Sequence, residues 1–146
     1  MSVAPKPDLR AQHRVAAIVA VALMASVAIC WSLVPTLARL GTLKPAFAGD
    51  ARIGYLALAF GVVVVVVAGI MRRTTLAGSV GEAGARLLTA SIVASALAEV
   101  PGLLGLVVYM LTGLPTAAYP LFVLSFAALL FYFPRWSQWE EWAKAR

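Results

Sequence analysis

The stretch Leu87–Leu111, LLTASIVASALAEVPGLLGLVVYML, contains a single acidic or basic side chain, Glu99, in an otherwise uncharged run. Three further runs, at residues 15–38, 53–71 and 115–133, carry no such side chain. Each run is long enough to cross the roughly 30 Å hydrocarbon core of a bilayer as an α-helix, which rises about 1.5 Å per residue. The sequence therefore predicts an all-α integral membrane protein that forms a four-helix bundle.

The composition excludes most soluble functions. Of the 146 residues, 62% are hydrophobic and 12% are charged, which is about half the charged fraction of an average soluble domain. Soluble enzymes and disordered chains are therefore excluded, and we expect residues 1–146 to form a single membrane domain. One Cys and one His leave no disulfide framework, metal cluster or Cys/His nucleophile pair, so no metal, cofactor or enzymatic activity is predicted.

The basic residues predict the orientation. They fall between the apolar runs rather than along a stripe with aromatic residues, so nucleic-acid binding is not expected. Nine of them lie on one predicted side of the membrane: Lys6, Arg10, Arg14, Arg72, Arg73, Arg86, Arg135, Lys144 and Arg146. The other three are Arg39, Lys44 and Arg52. Because positive loops resist translocation, we expect a multi-pass protein of the bacterial inner membrane with both termini in the cytoplasm.

The first run could alternatively be a signal peptide, because Ala46-Phe47-Ala48 resembles a small-residue cleavage site. The run at residues 15–38 is longer than the apolar core of a signal peptide, which has about 7–15 residues. The candidate site also lies well beyond the end of the run. A membrane-spanning helix is the better interpretation.

The C-terminal segment, residues 134–146, is amphipathic. Trp136, Trp139 and Trp142 recur every third residue among polar and charged neighbours, a spacing that places the indoles along one stripe of a helix. Aromatic rings with a polar edge favour the headgroup zone of a bilayer. We expect the three tryptophans to act as an interfacial anchor, and the alternative is a helix that docks on a partner subunit.

Small residues mark a packing face on the third run. Ala90, Ala94, Ala98 and Gly102 recur every fourth residue, and Ser91, Ser95 and Glu99 form a second row beside them. Helices associate in lipid where small residues let their backbones approach and where polar groups find partners. We expect this strip to be buried, most simply against residues 53–71, where glycines also permit close contact.

Glu99 is the residue that most needs an explanation, because it lies near the predicted midplane of the membrane. A central acidic residue costs on the order of 2.5–3.5 kcal/mol on insertion scales, and no Lys or Arg lies within any of the four runs. The protonated acid is therefore the expected form, with Ser95 as a hydrogen-bond partner and Ser91 one turn beyond. Pro101 has no amide hydrogen, so it frees the carbonyl of Leu97 and predicts a kink.

Two hypotheses follow for Glu99. In the first, the carboxyl group binds and releases a proton or a sodium ion, because an intramembrane carboxylate is a functional candidate by default. In the second, Glu99 is a neutral hydrogen-bonding staple between helices, worth about 0.6 kcal/mol, in a structural or assembly subunit. Both hypotheses expect a lipid bilayer and other membrane subunits, or further copies of the chain, as partners.

The run Ala98-Glu99-Val100-Pro101-Gly102-Leu103-Leu104-Gly105-Leu106-Val107-Val108 resembles the carboxyl-bearing C-terminal helix of the rotor-ring c subunits, the proteolipids of F-type and V-type ATP synthases. The likeness covers about residues 81–111, and it implies that Glu99 is the carboxylate that carries a proton or sodium ion. Arg72-Arg73-Thr74-Thr75 stands where that family has an Arg-Gln-Pro type loop. As a whole, the chain resembles small four-helix membrane proteins of bacteria.

Overall fold

The structure, a computed structural model, describes residues 9–41, 44–78 and 83–144. Within these ranges the chain has no β-strand and forms five helices: α1 Leu9–Leu40, α2 Ala51–Ala77, α3 Ala83–Thr112, α4 Pro115–Tyr132 and α5 Trp136–Lys144. The first four are long and apolar enough to cross a membrane. The prediction of an all-α four-helix membrane bundle is confirmed.

The first three helices extend beyond the apolar runs that predict them. The α1 helix begins six residues before Val15, and α2 continues six residues past Met71. Hydropathy marks the part of a helix that suits lipid, whereas Arg, Gln, Ala and Leu are good helix formers that let the helix continue into water. The α4 helix ends at Tyr132 because the helical conformation is disfavoured at Phe133, the residue before Pro134.

The α3 helix occupies the centre of the bundle and packs against α1, α2 and α4. The α4 helix also contacts both α1 and α2. The core that these helices share contains small residues of α3 and aromatic residues of α4, among them Ala94, Ala98, Phe122 and Tyr132. A residue on α3 is therefore close to every other membrane-spanning helix. A functional site that several of these helices share would include α3.

A tight turn joins α3 to α4 and makes them an antiparallel pair. Gly113 follows the last residue of α3 with a φ of +68°, a backbone conformation that favours glycine. Its N–H donates to the carbonyl of Tyr109 at 2.8 Å. Pro115 then opens α4, where its missing N–H costs no helical hydrogen bond.

The connection between α1 and α2 folds over this turn. The N–H groups of Phe47 and Gly49 donate to the carbonyls of Leu111 and Thr112, at 2.9 and 3.1 Å. Asp50 then caps α2, because its side chain accepts a hydrogen bond from the N–H of Arg52. These bonds satisfy carbonyls that the end of α3 would otherwise leave without partners.

Gly54 and Gly69 of α2 face α4, whereas Gly61 lies between α4 and Pro101 of α3. A Cβ added at Gly54 would lie 2.7 Å from the Cβ of Ala117, and one at Gly69 would lie 2.8 Å from the hydroxyl oxygen of Tyr132. Close approach to α4 therefore requires glycine at both positions. The sequence predicted close contact through these glycines, but α3 was the wrong partner helix for Gly54 and Gly69.

The α5 helix lies against the end of the bundle where α1 begins, which we call the α5 end. Trp139 is 1% exposed and packs with Ala16 of α1 and Leu87 of α3. The predicted position of Trp139 at the lipid surface is therefore wrong, because the bundle itself covers the indole. Trp136 is partly buried beside the same cluster. The side chain of Trp142 lies outside the described residues.

His13 helps to hold α5 in this position. Its Nε2 donates to the carbonyl of Pro134 at 2.9 Å. Its ring meets the rings of Trp136 and Trp139 edge-on, with centroids 5.2 and 5.3 Å away. The connection between α4 and α5 is therefore fastened to α1, which fixes the direction in which α5 leaves the bundle.

Candidate functional site around Glu99

Glu99 lies near the middle of α3, 16 residues after Ala83 and 13 residues before Thr112. At about 1.5 Å per residue, these separations correspond to about 24 and 20 Å along the helix. The side chain is partly buried. Glu99 therefore lies far from both ends of a helix that is long and apolar enough to cross a membrane.

The carboxyl-bearing side chain occupies the border between the packed face and the outer face of α3. Ser95, one turn earlier, is 1% exposed, whereas Leu103, one turn later, is 44% exposed. Successive helical residues turn by about 100°, so Glu99 lies between these two directions on the helix. Part of its surface is consequently open to whatever surrounds the bundle.

The α1 helix packs against α3 in this region. Cys30 of α1 is a buried free thiol in the same core cluster as Ala98, the residue before Glu99. Val27 of α1 packs against Gly102, one turn beyond Glu99, where an added Cβ would lie 2.9 Å from its Cγ2. Glu99 therefore lies close to the contact between α1 and α3.

The hydrogen bonds among the described residues include none that joins Glu99 to Ser95 or Ser91. Ser91 and Ser95 are 3% and 1% exposed, so both point further into the bundle than Glu99 does. Ser95 was predicted as the partner because it lies one turn away. No hydrogen bond joins the two side chains among the described residues, and Ser95 lies in the buried face of α3.

The small-residue strip lies inside the bundle. Ala90, Ala94 and Ala98 are 1%, 0% and 0% exposed, and Gly102 is also buried. A Cβ added at Gly102 would lie 2.9 Å from Val27 of α1 and 3.0 Å from the Oγ of Ser125 of α4. At Gly102 the strip therefore meets α1 and α4, while α3 as a whole also packs against α2.

Ser125 is a polar residue of this region that the sequence analysis missed. It is 0% exposed, and its hydroxyl donates to the carbonyl of Ala98 at 2.7 Å. The bond joins α4 to α3 one residue before Glu99. The sequence does set this residue apart, because Ser125 is the single residue with a hydroxyl group between Leu121 and Phe131.

The α3 helix continues through Pro101 without a break in its helical assignment. Pro101 cannot donate to the carbonyl of Leu97, so this part of the helix has an acceptor that its own backbone does not use. The hydroxyl of Ser125 adds a hydrogen bond at the neighbouring carbonyl, that of Ala98. The backbone beside Glu99 is thus held by α4, while the Glu99 side chain itself is partly exposed.

The described residues contain no group of three or more His, Cys, Asp and Glu side chains placed to hold a metal ion. No family model matches the chain, and neither the curated proteins nor the solved structures give a significant match. What the site can do follows from its own chemistry, which is that of a partly exposed carboxyl group near the middle of a membrane-spanning helix.

Proposed function

We propose that this small polytopic membrane protein binds and releases a proton at Glu99, as a subunit of a larger membrane assembly. The observation that carries the proposal is the position of the carboxyl group. It lies near the middle of α3 on the border of the packed face, and the described residues give it neither a hydrogen bond nor an ion pair.

A charged carboxylate in this position would be costly. Desolvation in the hydrocarbon region opposes the ionised form, and no Lys or Arg side chain of the described part of the chain pairs with it. Taking up a proton removes the charge without requiring any other ligand. A metal cation would need several oxygen ligands around it, so the surroundings of Glu99 favour a proton over sodium.

The partial exposure of Glu99 supports a role between subunits. A carboxyl group wholly inside one chain could exchange a proton only through that chain, whereas this one lies beside the outer surface of the bundle. A second subunit seated there could supply a path for the proton. The resemblance of residues 81–111 to the carboxyl helix of the rotor-ring c subunits agrees with such a role.

The charge distribution supports an orientation for this proposal. The α5 end carries Arg10, Arg14, Arg72, Arg73, Arg86 and Arg135, whereas the opposite end carries Arg39, Lys44 and Arg52. Positive residues are retained on the cytoplasmic side of a bacterial inner membrane. The α5 end and both termini would then face the cytoplasm, and Glu99 would be reached from within the membrane.

The proposal can be tested with a hydrophobic carbodiimide, a reagent that attacks protonated carboxyl groups in apolar surroundings. We expect the purified protein in lipid nanodiscs to be modified at Glu99 near pH 7, with labelling that falls as the pH is raised. Peptide mass spectrometry would locate the adduct. Glu140 and Glu141 of α5 serve as internal controls, because they lie outside the membrane-spanning helices.

The E99Q variant should lose this adduct while keeping the fold, because glutamine has nearly the same size. Modification of Glu140 and Glu141 with none at Glu99 would contradict the proposal, and so would equal labelling of Glu99 across the whole pH range. Either result would mean that Glu99 does not exchange its proton in the assembled bundle.

A second candidate function rests on the same partial exposure. Glu99 has hydrogen-bonding capacity that the described residues of its own chain do not use, so its protonated form could donate to a neighbouring subunit. In that case the chain is a structural or assembly subunit, and Glu99 acts as a staple between chains. This function requires a hydrogen-bonding group at residue 99 but no titration.

A further inference from the structure

A groove of about 400 Å³ lies between α2 and α4 near the α5 end of the bundle. Its walls include the arginines Arg72 and Arg73 together with apolar and aromatic side chains, among them Ile70, Phe131 and Tyr132. It lies well away from Glu99 in the fold, because neither α1 nor α3 contributes to its lining. The groove is therefore a feature separate from the Glu99 site.

The floor of the groove is a tyrosine held in place by both helices. The hydroxyl of Tyr132 donates to the carbonyl of Val65 on α2 at 3.0 Å. Gly69 makes room for it, since a Cβ added there would lie 2.8 Å from the Tyr132 hydroxyl oxygen. The absence of a side chain at Gly69 thus opens the groove and lets the ring of Tyr132 lie against α2.

Arg72 is positioned over this floor. Its guanidinium carbon lies 5.9 Å from the centroid of the Tyr132 ring, and its Nη2 donates to the Oε1 of Gln138 on α5 at 3.4 Å. Gln138 is a neutral amide, so the hydrogen bond orients the guanidinium group without cancelling its charge. Arg73, the next residue, is exposed.

The groove is therefore positively charged at one end and apolar along its length. The described residues that line it include no Asp or Glu, so none of them neutralises the two arginines. Along the groove, Val66, Ile70 and Phe131 are 55%, 55% and 74% exposed. In a membrane-spanning bundle, such an exposed apolar wall faces acyl chains.

We propose that this groove is a binding site for an anionic phospholipid. The phosphate group binds to Arg72 and Arg73, and one acyl chain lies along Ile70 and Phe131. Guanidinium groups suit phosphate because their N–H donors match its oxygens, and each basic residue near the headgroups attracts anionic lipid with about 1 kcal/mol. A zwitterionic lipid would leave the two positive charges without full compensation.

The position along the helix fits this ligand. Arg72 directly follows the uncharged run that ends at Met71, so the guanidinium groups lie where the hydrocarbon gives way to headgroups. A free phosphate ion would use the arginines but not the apolar wall. The occupant that uses both parts of the groove is a lipid.

The test is native mass spectrometry of the full chain released from nanodiscs that contain equal amounts of phosphatidylglycerol and phosphatidylcholine with matched acyl chains. We expect the wild-type protein to retain phosphatidylglycerol preferentially. The R72Q/R73Q variant should reduce that retention about 30-fold, because two contributions of about 1 kcal/mol each are lost. Millimolar inorganic phosphate should not displace the lipid.

The matched control is R39Q/R52Q, which removes the same charge from the opposite end of the bundle and should leave retention unchanged. The single variant R73Q should reduce retention without risk to the fold, because its side chain is exposed. Equal loss in R72Q/R73Q and R39Q/R52Q would overturn the proposal. So would equal retention of the two lipids by the wild-type protein, or displacement of the lipid by phosphate.

Discussion

Ser125 and Glu99 are polar residues of the membrane-spanning helices, and their surroundings are opposite. Ser125 is fully buried and donates to the carbonyl of Ala98, so its polar group is satisfied inside the chain. Glu99, next to Ala98, is partly exposed and has no hydrogen bond among the described residues. Ser125 therefore stabilises the contact between α3 and α4. The carboxyl group of Glu99 keeps its hydrogen-bonding capacity for a partner or a proton.

At this scale we expect S125A to lower the free energy of unfolding by about 0.6 kcal/mol and by no more than about 1.7 kcal/mol, the range for interhelical hydrogen bonds in membranes. Equilibrium unfolding in mixed detergent micelles would measure this change in the free energy of unfolding. The control is S32A, because Ser32 donates within its own helix at an exposed position. If S125A and S32A were equally stable, the hydrogen bond from Ser125 to the carbonyl of Ala98 would make no net contribution to the stability of the bundle.

At the scale of elements, α5 shows how an amphipathic segment can serve the bundle instead of the bilayer. The stripe that contains Trp136 and Trp139 was predicted to rest on lipid, but Trp139 is buried against α1 and α3. An indole gains from leaving water in either place, since both the headgroup zone and the protein surface are largely apolar. The hydrogen bond from His13 to the carbonyl of Pro134 holds α5 against the bundle instead of the bilayer.

We expect W139A to release α5 from the bundle without unfolding the spanning helices, because truncating a buried Trp costs about 3–5 kcal/mol and α5 has few other contacts. Hydrogen–deuterium exchange would show faster amide exchange in residues 136–144. The control is E141A, which changes an exposed residue of the same helix. Unchanged exchange in W139A would mean that α5 does not depend on this indole.

For the whole molecule, the outer surface is as informative as the core. Large apolar side chains such as Ile18, Leu56 and Phe131 are 67%, 72% and 74% exposed. Such a large exposed apolar surface is unfavourable in water, whereas it is favourable in the hydrocarbon of a bilayer. Glu99 lies at the edge of this surface on the central helix, so a partner that covers it would bury both apolar and polar groups.

The assembly function makes a prediction at this scale. If Glu99 is a staple between chains, E99Q should keep the particle mass of the native assembly in mild detergent, because the amide still donates a hydrogen bond. E99L should lose the partner, because leucine cannot donate. Mass photometry together with identification of copurifying subunits would measure both variants. An unchanged assembly in E99L would rule out the staple.

The number and approximate position of the spanning helices could be predicted because each helix in lipid satisfies its own backbone hydrogen bonds. A local run of apolar residues is therefore enough to identify it. The antiparallel pairing of α3 and α4 follows from the same runs, since the few residues between Leu111 and Pro115 can only reverse the chain. Glu99 stood out for a similar reason, as a single charge in an apolar run.

The sequence by itself thus determined four membrane-spanning helices and a lone carboxyl group at membrane depth. Only the tertiary structure decided that Gly54 and Gly69 face α4, that Ser125 supports the backbone beside Glu99, and that Trp139 is covered by protein. The physical reason is that lipid and protein interiors are similarly apolar, so hydropathy does not reveal which face of a helix meets another helix. That choice depends on how the side chains fit together.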